Sequence, residues 1–129
     1  MGFDYGINAA KKRGTVTLQG AVTADDIDAA VCAVFTDADW QPGFNTLWDC
    51  RQIKQLEVEW EGAQQVTQRL AELQERRGPG RVAVVAHRAV DESIAQLFRA
   101  TSSTPQREIR VFRSMKQAVA WLEEPAAPM

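Results

Sequence analysis

The chain has 129 residues, a net charge of −2 and a pI of about 5.4, with 45% of its residues hydrophobic. That length suits one domain and hides about two-thirds of the unfolded surface, so a core forms without staples. The acidic balance argues against a nucleic-acid binder, which carries a basic excess on one face, and no apolar run approaches the ~20 residues that span a bilayer. The longest such run, Val82 to Ala86, is strand-sized. The polar start lacks the apolar stretch of a secretory leader, and Gly6 stands where a myristoylation motif requires Ser or Thr. The expected location is the cytoplasm. Cys32 and Cys50 make neither a disulfide framework nor a zinc site, and no metal or cofactor is expected.

In chain order, residues 3–8 alternate Phe3, Tyr5 and Ile7 with polar or small neighbours, and residues 15–19 alternate Val16 and Leu18 with Thr15, Thr17 and Gln19. Period two predicts strands, with Lys11-Lys12-Arg13-Gly14 as the hairpin turn between them. Thr23 then reads as a helix N-cap with Asp26 three residues on, and Val22 and Ile27 as the staple around it. Ile27, Val31, Val34 and Phe35 share one face of that helix, which "WQPGF" ends. A third strand is predicted over 44–49. A second helix is predicted to open with Glu57, Glu59 and Glu61, acids that suit the positive end of a helix dipole. Trp60, Ala63, Val66, Leu70 and Leu73 form its expected inner stripe, and Gly78-Pro79-Gly80 its stop. "RVAVVA" (81–86) reads as a buried strand, and Asp91 begins a third helix with Ile94, Leu97 and Phe98 inward. "REIRVFR" (107–113) is the fifth strand. Ser114 caps the last helix, with Val119, Trp121 and Leu122 inward. The proline-rich tail, 125–129, is expected to fray.

One domain over 1–124 follows, of α/β class: a five-stranded mixed sheet with an antiparallel N-terminal hairpin, then parallel βαβ units, and four helices. Strands joined through helices are parallel with right-handed crossovers. The stretches "PGFNTLWDCRQI" (42–53), "RVAVVAHRAVDESIAQLF" (81–98) and "EIRVFRSMKQAVAWL" (108–122) give the chain a resemblance to the SpoIIAA-like superfamily of STAS domains, bacterial modules that include the anti-sigma-factor antagonists. It looks closest to the uncharacterised SpoIIAA-like branch, similar in architecture to the small CRAL-TRIO lobe. The resemblance implies a regulatory or protein-interaction role. In phospho-regulated antagonists the aspartate ending the third strand, matched here by Asp49, is followed by a serine-bearing helix start. Residues 50–66 hold no Ser, Thr or Tyr, so a phosphate switch at that place is not available.

Ligands of open parallel sheets bind outside the carboxyl ends of the strands. Asp49 and Arg51, His87 and Arg88, and Arg113 and Ser114 fall there. The arginines, beside helix N-termini, suit a phosphate or carboxylate; alternatively they pair with Asp49, Asp91 or Glu92. Cys50 and His87 raise a thiol-enzyme alternative, but no nucleophile elbow surrounds Cys50, and a small packed hydrophobe is the plainer reading. With all crossover helices on one face, Thr46, Trp48 and Val85 are expected to make an apolar patch on the other, paired in a homodimer, the alternatives being a covering helix or a protein partner. The expected function is a non-enzymatic, STAS-like protein-interaction module. The alternative is a carrier or sensor of a small apolar or anionic ligand.

Overall fold

The computed structural model describes residues 2–87 and 107–124. Strands β1 (Phe3–Asn8) and β2 (Arg13–Thr23) form the predicted antiparallel hairpin, paired from Phe3 with Leu18 to Asn8 with Arg13. The turn differs from expectation. Its left-handed residue is Lys12, at φ 55, and Gly14 already lies in β2, where a Cβ would stand 3.1 Å from Trp40 and 3.2 Å from Val34.

Helix α1 (Ala24–Phe35) opens on the predicted capping box. The Thr23 backbone N–H donates to the Asp26 carboxylate at 2.9 Å, and the Asp26 N–H donates to Thr23 Oγ1 at 3.2 Å. After it come β3 (Asn45–Glu57), α2 (Trp60–Glu72), a single turn α3 (Gln74–Arg77), β4 (Gly80–Val85), β5 (Arg107–Phe112) and α4 (Met115–Glu123). The sheet order is β1-β2-β3-β4-β5, with every pair after the first hairpin parallel. Four helices occur among the described residues. The helix predicted from Asp91, together with Arg88, Glu92 and the tail 125–129, lies outside them.

Two cores flank the sheet. On one face α1 and α2 cover Val16, Leu18, Trp48, Cys50, Val82 and Val84. An ion pair, Arg69 Nε to Asp28 at 2.9 Å, joins these two helices. On the other face α4 packs Ala118, Trp121 and Leu122 against Leu47, Ala83 and Val85. The one-face expectation held for the two described crossover helices, α1 and α2. Helix α4 follows the last strand, so no crossover handedness binds it, and it folds back over the opposite side.

This corrects the expected patch. The register sets Trp48 beside Val84, and Asp49 beside Val85, so Trp48 and Val85 point to opposite faces. Thr46 and Trp48 are buried on the α1/α2 side, and Val85 lies under α4. The exposed apolar face that motivated a homodimer is therefore absent: helices of the same chain cover all three residues.

The amino ends of the strands are clasped by the loop after α1. Trp40 is 2% exposed, meets Phe35 and Phe44 edge-on at 4.8 and 5.4 Å, and donates its indole N–H to the Arg76 carbonyl at 2.6 Å. Arg76 Nε donates to the Phe35 carbonyl at 3.0 Å, while the buried Arg77 guanidinium lies 5.7 Å from the Phe35 ring centre. The Gly43 N–H donates to the Arg77 carbonyl at 3.0 Å. Gly78, at φ 65, sits so close to this loop that a Cβ would fall 2.5 Å from the Gly43 nitrogen. Only glycine takes that backbone conformation without strain. Asn45 extends the clasp to the other face, accepting from the Arg81 N–H at 2.8 Å and donating to the Leu122 carbonyl at 3.1 Å.

Candidate functional site at the carboxyl edge

The strand that carries Asp49 does not stop there. β3 runs on to Glu57, whereas β4 pairs only with Thr46 to Asp49. Beyond that point β3 is held by β2, with two register shifts, one between Thr17 and Gln19 and one between Gly20 and Ala21. Each shift puts one extra residue into β3, as a bulge does. Apolar contacts to the α1/α2 core therefore recur at Cys50, Ile53 and Leu56, a spacing of three rather than two. Helix α2 consequently starts at Trp60, three residues later than predicted, with Glu59 as an N-cap that makes no side-chain cap bond.

Asp49 and Arg51 project from this strand as a pair. Arg51 Nε donates to Asp49 Oδ1 and Nη2 to Oδ2, both at 2.9 Å, and the Arg51 backbone N–H adds a third bond at 3.1 Å. The Asp49 side chain is only 8% exposed, that of Arg51 46%. The guanidinium hydrogen bonds hold the Asp49 carboxyl below the usual carboxylate range, overriding the upward push of burial. His87 is exposed, and its Nε2 donates to the Ile53 carbonyl at 3.2 Å, so it latches the end of β4 to the overhanging half of β3.

An open cleft of about 570 Å³ lies along this overhang, with Arg51, Lys54 and His87 around it, Gln19 at one side, and Gly20 and Ile53 as part of its lining. Of the predicted edge residues, Arg51 and His87 thus meet in one place, with Asp49 supporting Arg51. Ser114 and Arg113 do not join them. Ser114 caps α4, accepting from the Gln117 N–H at 3.3 Å, and Arg113 precedes it, exposed. Lys54 and Gln19 were missed in the sequence because the strand was expected to end at Asp49.

Cys50 sits in the core rather than in either cleft. It is fully buried on the α1/α2 side, and burial, reinforced by the Asp49 charge, pushes its thiol up to about 12. Burial thus disfavours the thiolate, the form that acts as a nucleophile.

A second groove, of about 740 Å³, lies where the N-termini of α1 and α2 converge. Gly62 permits the approach, since a Cβ there would stand 2.6 Å from that of Ala24. Leu56 and Val58 give the groove an apolar floor, and Asp25, Glu57, Glu59 and Glu61 ring it with carboxylates. Trp60, expected in the inner stripe, is instead 74% exposed. It is the first residue of α2, where the inner stripe has not yet begun.

An antiparallel hairpin leading into parallel strands, with helices on both faces of the sheet, is the STAS-like α/β architecture. The SpoIIAA-like family model matches residues 13–123, and the chain belongs to that family. Among solved structures it is similar to an uncharacterised protein of the DUF3478 family with a SpoIIAA-like fold from Shewanella loihica PV-4. The TM-score is 0.62 and the sequence identity 15%, with 94% of each chain covered. No curated protein matches the sequence. No helix among the described residues is long and apolar enough to cross a membrane.

Proposed function

We propose that the domain is a non-enzymatic protein-interaction module that engages its partner at the opening of α2, through Trp60 and the acidic groove beside it. The observation that carries this reading is the 74% exposure of Trp60. A tryptophan left in water forgoes about 2 kcal/mol or more of burial, and tryptophan is the side chain most enriched among residues that dominate interfaces. Four carboxylates around the groove call for a basic partner surface, which they would steer and orient. The burial of Cys50 supports the non-enzymatic part of the reading. With no Ser, Thr or Tyr in residues 50–66, the contact is constitutive at this place, or is controlled by the partner.

A photo-crosslinking residue placed at position 60 tests the proposal in the native cell. A discrete adduct with one basic protein is expected, weakened by salt, and absent when the same residue replaces the exposed Lys116 on α4. Equal adducts at both positions, or none at position 60, would remove the reading.

A further inference from the structure

The cleft along the β3 overhang shares no lining residue with the groove of the interaction reading. Its chemistry is cationic. Arg51 and Lys54 supply basic side chains and His87 adds an imidazole; among the described residues the lining holds no carboxylate, and that of Asp49 grips Arg51 from outside it. This stands out in a chain whose net charge is −2.

The guanidinium is held in place before any ligand arrives. Asp49 takes Nε and Nη2 in a two-pronged grip from beneath, so the side-chain entropy that an arginine normally loses on binding is already lost. Its Nη1 makes no hydrogen bond with the described residues, and two N–H donors remain there. The Lys54 ammonium lies on the same cleft, likewise without an ion pair among the described residues. The side-chain amide of Gln19 is committed to Asp4 at 3.2 Å, which leaves the two cations as the principal donors. Gly20 presents backbone alone, and a Cβ built on it would meet nothing within 4 Å, so a ligand can approach the strand closely. The two register shifts of β3 against β2 lie along the same stretch, and bulges of this kind recur where a strand re-aims side chains at a site.

We infer that this cleft binds the oxyanion end of a small, freely diffusing anionic molecule, a carboxylate or phosphate, through Arg51 Nη1 and the Lys54 ammonium, with Asp49 as the positioning residue for Arg51. A volume of about 570 Å³ is within the ordinary range of small-molecule sites, so the oxyanion would be one end of a larger compound.

The test uses the full chain, labelled with ¹⁵N, and follows amide shifts while inorganic phosphate or succinate is added at constant ionic strength with sodium chloride as balance. Saturable shifts confined to residues 19–20, 51–54 and 87 are expected with at least one of the two anions, and which of them binds names the oxyanion. Lys54→Ala should weaken that binding by about tenfold, the loss of one charge-assisted contact. Trp60→Ala should leave it unchanged, which separates this inference from the interaction reading. Shifts with neither anion, shifts scattered over the surface, or equal binding by Lys54→Ala would overturn it. So would sedimentation with phosphatidylglycerol vesicles in the absence of any response to the soluble anions, since the site would then serve a membrane surface.

Discussion

The two ends of the sheet solve opposite problems. At the amino edge, the loop after α1 is locked to the α3 turn by aromatic edges, an indole hydrogen bond and a glycine with no room for a side chain. At the carboxyl edge, β3 outruns its neighbour β4, and the polar groups there are arranged along open clefts. Both ends use buried or half-buried arginines. Arg77 is surrounded by packing and its charge is disfavoured by burial, whereas Arg51 is held by a carboxylate and faces water. The difference teaches how the two ends divide their work: one end closes the fold, and the other leaves polar side chains along open clefts, where both proposed contacts lie.

The sharpest way to break that division is at Trp40. Trp40→Ala removes a fully packed indole, its two ring contacts and its bond to the Arg76 carbonyl. Large aromatic truncations of this kind cost about 3–5 kcal/mol. Urea unfolding should show that loss, while anion-induced shifts at the carboxyl edge persist for as long as the variant is folded. A loss below 1 kcal/mol would mean the clasp does not close the fold.

Next in size is Gly78→Ala. The backbone at φ 65 and ψ −177 lies in a region open to glycine alone, and the added methyl would fall 2.9 Å from the Pro42 carbonyl carbon and nearer still to Gly43. Strain and displacement together should cost about 2–3 kcal/mol, read as a lower midpoint at unchanged m-value. The comparison position is Gly20, also at positive φ but with open space around its missing Cβ. Alanine there should cost less, because strain is not joined by a clash.

At the carboxyl edge the expected effect is smaller and depends on pH. The Asp49 carboxyl is held below its ordinary value, first by the Arg51 hydrogen bonds. A carboxyl with a depressed folded-state value adds stability above its unfolded value, near 3.9, and loses that addition as pH falls through the folded value. Asp49→Asn should therefore be less stable than the wild type by about 1 kcal/mol at pH 7, below the range for hydrogen bonds to a charged group because water screens the half-exposed Arg51. The gap should narrow below pH 4. Parallel urea titrations at pH 7, 4 and 3 measure it, and a gap that does not change with pH would show that the pair is held by shape rather than by charge.

The same division governs what the sequence made legible. The α1 capping box, the buried β4, the Ser114 cap and the inner residues of α4 were readable because each rests on a local rule that the sheet does not override. The carboxyl half of β3 was not. Its apolar residues, Cys50, Ile53 and Leu56, recur every third position, which matches neither a flat strand nor a clean helical stripe. Two extra residues set by pairing with β2 produce that spacing, and pairing is not written in β3 alone. Ending the strand at Asp49 hid Lys54 from the candidate site and moved Trp60 onto an inner face. The Trp48 error has the same origin. Its partner across the strand gap is Val84, not Val85, and a one-residue change of register exchanges the faces. Arg51 and His87 could be placed at this edge because the rule that sites gather at carboxyl edges needs only the approximate end of a strand.

The smallest predicted effect runs in the opposite direction, and it tests whether the amino half of β3 is as well fitted as the clasp around it. Thr46 is 1% exposed, faces the α1/α2 core, and its hydroxyl has no hydrogen-bond partner among the described residues. A buried hydroxyl without a partner costs about 1–3 kcal/mol relative to water. Valine keeps the β-branched shape that suits a strand and removes the polar atom, at the cost of any misfit of the new methyl. Thr46→Val should therefore raise stability by about 1 kcal/mol, measured as a higher urea midpoint, and leave the carboxyl-edge amide shifts unmoved because Thr46 lies at the opposite end of β3 from the cleft. If the variant is instead less stable, the hydroxyl is satisfied in solution, and the amino edge holds a polar contact as consequential as the Asp49–Arg51 pair. The contrast between a packed end and a polar end would then have to be redrawn around β3 itself.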